Sequence, residues 1–309
     1  MANFFEANLT NVKKTNPGDK AKVPLGLTYI ITTLIINSIA CPLIVVLNVL
    51  VIKAVKTRRQ LRTNCNILLA CLAVTDAVTG LIVQPLYILR RLLQFINDGE
   101  SEKWVATAHR TFHIAVLTAS LLHLMLVTFE RLVAIKFTMH YSSVITGKTL
   151  KITVGVFWVF SLIQGVISRL KYELIKHLVG TPLLVSCILF VTSTYVVLYR
   201  EALRHRKKIK THQLPQEEVE RVTRENKALK TTVFVIGAIV VCLLPAVVSS
   251  FLHIFGVVQG KAYASLTSWI RTFTMLNSLV NPLIYCWRQK EMRKSIFCSS
   301  YRVVDPANQ

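Results

Sequence analysis

Apolar positions along the chain gather into seven long blocks, at about 27–53, 64–92, 105–137, 149–170, 178–203, 226–257 and 264–287. Each supplies the roughly 20 apolar residues a helix needs to cross a hydrocarbon core. The polar stretches between them are short. This pattern predicts an all-α membrane protein, a seven-transmembrane helix bundle at 27–287 preceded by a tail at 1–26. After Trp287 the stretch RQKEMRKSIFC alternates basic and apolar residues at helical spacing. It predicts a short amphipathic eighth helix within 288–309, its basic face towards anionic lipid and Met292, Ile296 and Phe297 dipping inward. The first 25 residues are polar and carry no cleavable leader pattern, so the first span is expected to begin translocation itself.

Composition strengthens the membrane reading. Only 17% of the 309 residues are charged and 53% are hydrophobic, against about 25% charged in soluble domains. The net charge of +22 does not point to nucleic acid, because the basic residues cluster at helix ends. Lys53, Lys56, Arg58, Arg59 and Arg62 follow the first span, and Arg204, Arg206, Lys207, Lys208 and Lys210 follow the fifth. The positive-inside rule therefore places these loops in the cytoplasm and the N-terminus outside, for a multi-pass protein of the plasma membrane. Asn8 opens a glycosylation sequon on that outer tail. The seven cysteines fall in spans or on the cytoplasmic side, which leaves no outer disulfide; Cys298, after the amphipathic stretch, is a palmitoylation candidate or a plain free thiol.

Polar residues inside the spans carry the chemistry, since a charge there costs at least ~2.5–3.5 kcal/mol. Asp76, in LAVTD, is the one acid deep within a span. If the helices bundle, Asn48, Ser120, Asn277, Ser278 and Asn281 reach comparable depth. A carboxylate among neutral oxygens suits a small hard cation such as Na+, with no other cofactor expected; the plainer reading is a hydrogen-bonded interface carboxyl. In NSLVNPLIY, Pro282 is expected to kink the last span, with Asn281 satisfying part of the freed backbone. Pro245 in CLLP predicts a second kink in the sixth. The stretch VTFERLVAIKF carries an adjacent charged pair, Glu130 and Arg131, about one turn from the inner end of the third span. The short carboxylate can reach the guanidinium, and Glu225 at the start of the sixth span offers a second partner. The alternative is an anchor, with Arg131 snorkelling to the headgroups.

Taken together, LNVLV, LAVTD, ERL, Trp158, Tyr195, CLLP and NPLIY occur in the order found in rhodopsin-like (class A) G-protein-coupled receptors, and the resemblance covers about 27–298. It implies a receptor whose outer half binds a ligand and whose inner half opens, at helix six, to a heterotrimeric G protein. The resemblance makes Arg131 the switch arginine, held by Glu130 and Glu225, with Tyr195 and Tyr285 supporting it when active and Met139 in the coupling region. It makes Asp76, Ser120, Asn277 and Asn281 the sodium pocket. Ala106 stands where the family usually has a disulfide cysteine, Cys187 where it has a proline, Leu243 where it has a tryptophan and Ile239 where it has a phenylalanine. These departures resemble the melanocortin, lysophospholipid, cannabinoid and adenosine receptor branch.

His113 stands where amine receptors carry an aspartate and Met275 where opsins carry the retinal lysine, which argues against both ligands. The outer end instead holds Arg90, Arg91, His109, Arg110, His113, Arg169, Lys171 and Arg271. An anionic or lipid-like ligand is expected, with Arg110 and Arg271 as counter-charges and Tyr87, His113, Leu117 and Arg169 around it. The alternative is that these charges are solvated at the helix ends. A channel or transporter would want polar faces along whole spans or an internal repeat, and neither is visible. No metal cluster or nucleophile–base pairing suggests an enzyme. A constitutively active or decoy receptor shares the fold and is favoured by Leu243.

Overall fold

The computed structural model describes residues 25–210 except 97, 138–140 and 170–172, scattered residues between 237 and 257, and residues 260–297 except 289. Every regular element among them is helical: α1 (Leu25–Thr57), a 3-10 turn (Arg59–Leu61), α2 (Asn64–Val78), a π turn (Thr79–Val83), α3 (Gln84–Ile96), α4 (Gly99–Lys136), α5 (Tyr141–Val144), α6 (Gly147–Ile167), α7 (Glu173–Lys210), α8 (Gly260–Arg288) and α9 (Lys290–Phe297). Spans one to five correspond to α1, the α2–π–α3 unit, α4, α6 and α7, and span seven to α8. The sixth predicted span falls almost wholly outside the described residues. Five helical segments among those described are long and apolar enough to cross a membrane.

The exposure pattern is inside out relative to a water-soluble protein. Ile31, Ile35, Ile39, Leu43, Val46 and Val49 form an exposed apolar face on α1. Ile152, Val156, Val159, Ile163 and Val166 do the same on α6. Buried instead are Asn37, Asn48, Asp76, Gln84 and Asn281. Lipid replaces water as the solvent of the apolar faces, so polar groups gain by turning to one another.

α4 is the central post, packed on α2, α3, α6 and α7, while α1 packs on α2, α3, α8 and α9. α4 begins ahead of its apolar run because Asp98 caps it, its side chain accepting from the Ser101 N–H at 3.1 Å, and Glu100 and Glu102 in the first turn suit the helix dipole. Two glycines permit close helix contacts. A Cβ on Gly165 of α6 would lie 2.7 Å from the Thr111 carbonyl of α4, and one on Gly80 would lie 2.7 Å from Val45 of α1. The Gly80 contact sits in the π turn, where the Gln84 N–H bonds back to the Thr79 carbonyl just before Pro85.

α8 runs through Pro282 as one helix. The carbonyl that Pro282 leaves without its N–H is that of Ser278. Asn48 of α1, not Asn281, takes it, its Nδ2 donating at 3.0 Å. The amide of Asn281 turns to Asp76 instead.

Candidate functional site

Three polar regions lie along the axis of α4. The first is near its C-terminal end. Glu130 has no exposed surface, because α4 turns it inward beside α2. Arg131 folds back onto it, Nε donating to Oε2 at 2.6 Å and Nη2 to Oε1 at 2.8 Å, a two-pronged charge-assisted contact. The arginine side chain is 12% exposed, so it does not snorkel. The hydroxyl of Tyr141, on α5, also donates to Glu130 Oε1, at 2.8 Å, and itself accepts from Asn64 Nδ2 at 3.2 Å. Burial and the nearby Glu130 push the Tyr141 hydroxyl up to about 12, so it remains a donor at neutral pH. Tyr285 is fully buried in the core and its hydroxyl has no partner among the described residues. Tyr195 lies beside Tyr199, ring centres 6.2 Å apart. No hydrogen bond joins either Tyr195 or Tyr285 to Arg131 among the described residues. Met139 and Glu225 lie outside those residues, as do Asn8, Ile239, Leu243 and Cys298.

The second region is mid-helix. Asn281 Nδ2 donates to Asp76 Oδ2 at 2.8 Å. The side-chain oxygens of Asn48, Asn277 and Asn281 are buried without partners among the described residues. Next to them is a cavity of about 30 Å³ lined by Thr79, His113, Leu117, Ser120, Thr274, Met275, Asn277 and Ser278, among others. That volume admits a water or a small ion. Unpartnered oxygens beside a carboxylate are the donor set Na+ takes, so these residues fit the cation.

The third region lies towards the N-terminal end of α4, about 27 Å from Arg131 as counted along the helix from His113. Tyr87, His109 and His113 form a ladder of rings, each neighbouring pair of centres 5.5 Å apart. Arg91 of α3 is 5% exposed and donates to Tyr87, Gln94 and Ser268. Behind it, Gln84 donates to Asn37 and Asn37 to Thr272, tying α3, α1 and α8 together. Arg271 of α8 is partly buried beside this cluster. Arg110 and Arg169, expected at the ligand, are exposed and line no part of the cavity. Arg91 and His109 were expected only as outer-end charges, yet they are the more enclosed. Arg91 is covered by Tyr29 of α1 and Ser268 of α8, and His109 stacks between Tyr87 and His113, contacts that sequence periodicity does not encode.

The family described as 7 transmembrane receptor (rhodopsin family) matches residues 47–174 and 168–285. Among curated proteins the chain is 27% identical over 296 residues to trace amine-associated receptor 365 of Petromyzon marinus, covering 84% of this chain and 79% of that one. It is 27% identical over 297 residues to lysophosphatidic acid receptor 3 of Mus musculus, covering 88% and 80%. It is 25% identical over 259 residues to melanocortin receptor 5 of Bos taurus, covering 80% and 78%. A polar-cored helix bundle, an arginine locked at one end of its central helix and a family match running through both fit together: the chain belongs to the rhodopsin family of seven-transmembrane receptors, multi-pass membrane proteins that signal through heterotrimeric G proteins and are not enzymes.

Proposed function

We propose that this receptor is switched by a small acidic ligand entering between α3, α4 and α8, and that release of Arg131 from Glu130 opens the far end to the G protein. In this reading the Arg131 end faces the cytoplasm and the N-terminus lies outside. The observation that supports an acid is the lining of the cavity and the cluster above it. Among the described residues the cavity lining has no carboxylate, and the cluster is rich in arginine and histidine. A cationic amine entering here would meet like charge, although some of the relatives are by name receptors for amines. One is by name a receptor for an acid.

The switch rests on competition. Glu130, wholly buried, holds Arg131 by two hydrogen bonds, and Tyr141 donates a third to the same carboxylate and helps to aim it. An opening that draws Arg131 away must offer it other acceptors, and the proposed role of Glu225 is to delay that opening. Asp76, Ser120, Asn277 and Asn281 would hold Na+, which when bound supplies a positive charge that steadies the closed bundle. His113 and Leu117 line the same cavity from above, so a ligand there can sense the filling below.

The test is a panel of carboxylates and phosphates applied to cells expressing the full chain, read by an assay covering every Gα class. The expected result is an acidic agonist whose signal vanishes in Arg131→Ala and weakens at least about tenfold in Arg271→Gln at matched surface expression. An agonist that is a cationic amine, or a signal that survives Arg131→Ala, overturns the reading.

A further inference from the structure

The three arginines nearest the ring ladder are not compensated alike. Arg90 is neutralised: its Nε donates to Glu102 Oε1 at 2.7 Å. Glu102 also accepts from Gln94, whose own oxygen accepts from Arg91 at 2.7 Å. Among the described residues Arg91 therefore meets only neutral partners: Gln94, Tyr87, Ser268 and the ring faces of Tyr29 and Tyr87. Its Nε is buried and bonds to none of those residues. Arg271 has no carboxylate partner among the described residues, and it feels the like charges of Arg90, Arg91 and Arg110. His109 is 2% exposed, and the Nε2 atoms of His109 and His113 are both buried without partners among the described residues.

Desolvating a guanidinium costs several kcal/mol unless a counter-charge stands by. Here two such cations are adjacent, one carboxylate serves a third, and the buried nitrogens Arg91 Nε, His109 Nε2 and His113 Nε2 are unmatched. Among the described residues the cluster of Arg90, Arg91, Arg271 and Glu102 holds an excess of two positive charges. We propose that Arg91 and Arg271 form a subsite for a phosphate monoester dianion, with His109 or His113 supplying a further N–H. A compact tetrahedral dianion offers two charges and three acceptor oxygens at one point, matching two guanidinium groups and an imidazole. Two separated carboxylates match a single cluster less well. This deepens the acidic-ligand reading above and rests on it.

The experiment uses the full chain in nanodiscs of neutral phosphatidylcholine at pH 8, where a monoester is dianionic. Binding is measured at fixed ionic strength for phenyl phosphate, its monoanionic methyl ester, benzoate, succinate and dodecyl phosphate. Phenyl phosphate is expected to bind about tenfold or more tightly than its methyl ester. Arg91→Gln and Arg271→Gln should each erase that preference, while Lys103→Gln, at an exposed site, should keep it. Should Arg91→Gln fail to fold, Arg91→Lys retains the charge and is expected to retain the preference. Dodecyl phosphate binding well above phenyl phosphate assigns the group to a lipid headgroup; parity or weaker binding assigns it to a soluble phosphate. Equal binding of ester and diester, or succinate ahead of phenyl phosphate, overturns the dianion subsite while leaving an acid receptor standing. No saturable binding of any acid overturns both.

Discussion

The two ends of α4 hold arginines in opposite ways. At one end Arg131 is closed by a carboxylate with no exposed surface; Tyr141 also donates to that carboxylate and itself accepts from Asn64. At the other, Arg91 is as deeply placed but meets only neutral groups, and Arg271 meets no acid among the described residues. One end is electrically complete by itself. The other is complete only with something added. A receptor needs this asymmetry: a lock that rests closed without help, and a site whose unsatisfied charge rewards the arrival of a partner. Between them Asp76 and the asparagines of α1 and α8 form a polar middle through which both ends share the same helices.

The sharpest way to break the comparison is to remove an arginine from each end. Arg131→Ala strands Glu130 without its counter-charge, leaving it only neutral partners such as Tyr141, and removing one member of a buried pair costs ~3–5 kcal/mol. The thermal midpoint of the purified receptor is expected to fall steeply and G-protein activation to be lost. Arg91→Leu strands only neutral groups and is expected to cost ~1–3 kcal/mol. Equal losses in the two variants would show that both ends are closed in the same way.

Asp76→Asn acts on the shared middle. Asn281 can still hydrogen-bond to the new amide, so folding should change little, but the carboxylate a cation needs is gone. Agonist affinity measured with and without NaCl, at constant ionic strength, is expected to lose its sodium dependence. Dependence that persists places the ion elsewhere.

Tyr141→Phe loosens the closed end without opening it. It deletes one donor to Glu130 at 2.8 Å and leaves the two from Arg131. Because Tyr141 is partly exposed, the cost is expected at about 1 kcal/mol, the lower range for such a bond. Basal signalling should rise by a few fold at equal surface expression. An unchanged or lowered basal signal would make Tyr141 a packing residue only.

How much of this was readable in the sequence depends on distance along the chain. The apolar blocks and the adjacent Glu130–Arg131 pair are local, and both were legible. Helix ends were less so, because Asp98 and the polar first turn of α4 obey capping, not hydropathy. Contacts between distant segments were invisible. The Ser278 carbonyl freed by Pro282 is rescued by Asn48 from the other end of the chain, where Asn281 next door had been the simpler expectation. Arg91 sits near a helix end, where charge is ordinarily solvated, and only Tyr29 of α1 and Ser268 of α8 enclose it. Tyr141 gave no signal at all, since a four-residue helix has no period to read.

The smallest expected effect is the most discriminating. Arg271→Gln removes a partly buried charge that, among the described residues, feels the like charges of Arg90, Arg91 and Arg110 with only Tyr87 acting the other way. In an ordinary protein, deleting a buried cation costs stability because a counter-charge is left behind. Here none is left among the described residues, and the repulsion between neighbouring cations is relieved. The ligand-free thermal midpoint is therefore expected to stay level or to rise, even as the response to an acidic agonist collapses. A fall like that of Arg131→Ala would mean that Arg271 has an acidic partner in the resting protein, and that the two ends of α4 are alike after all.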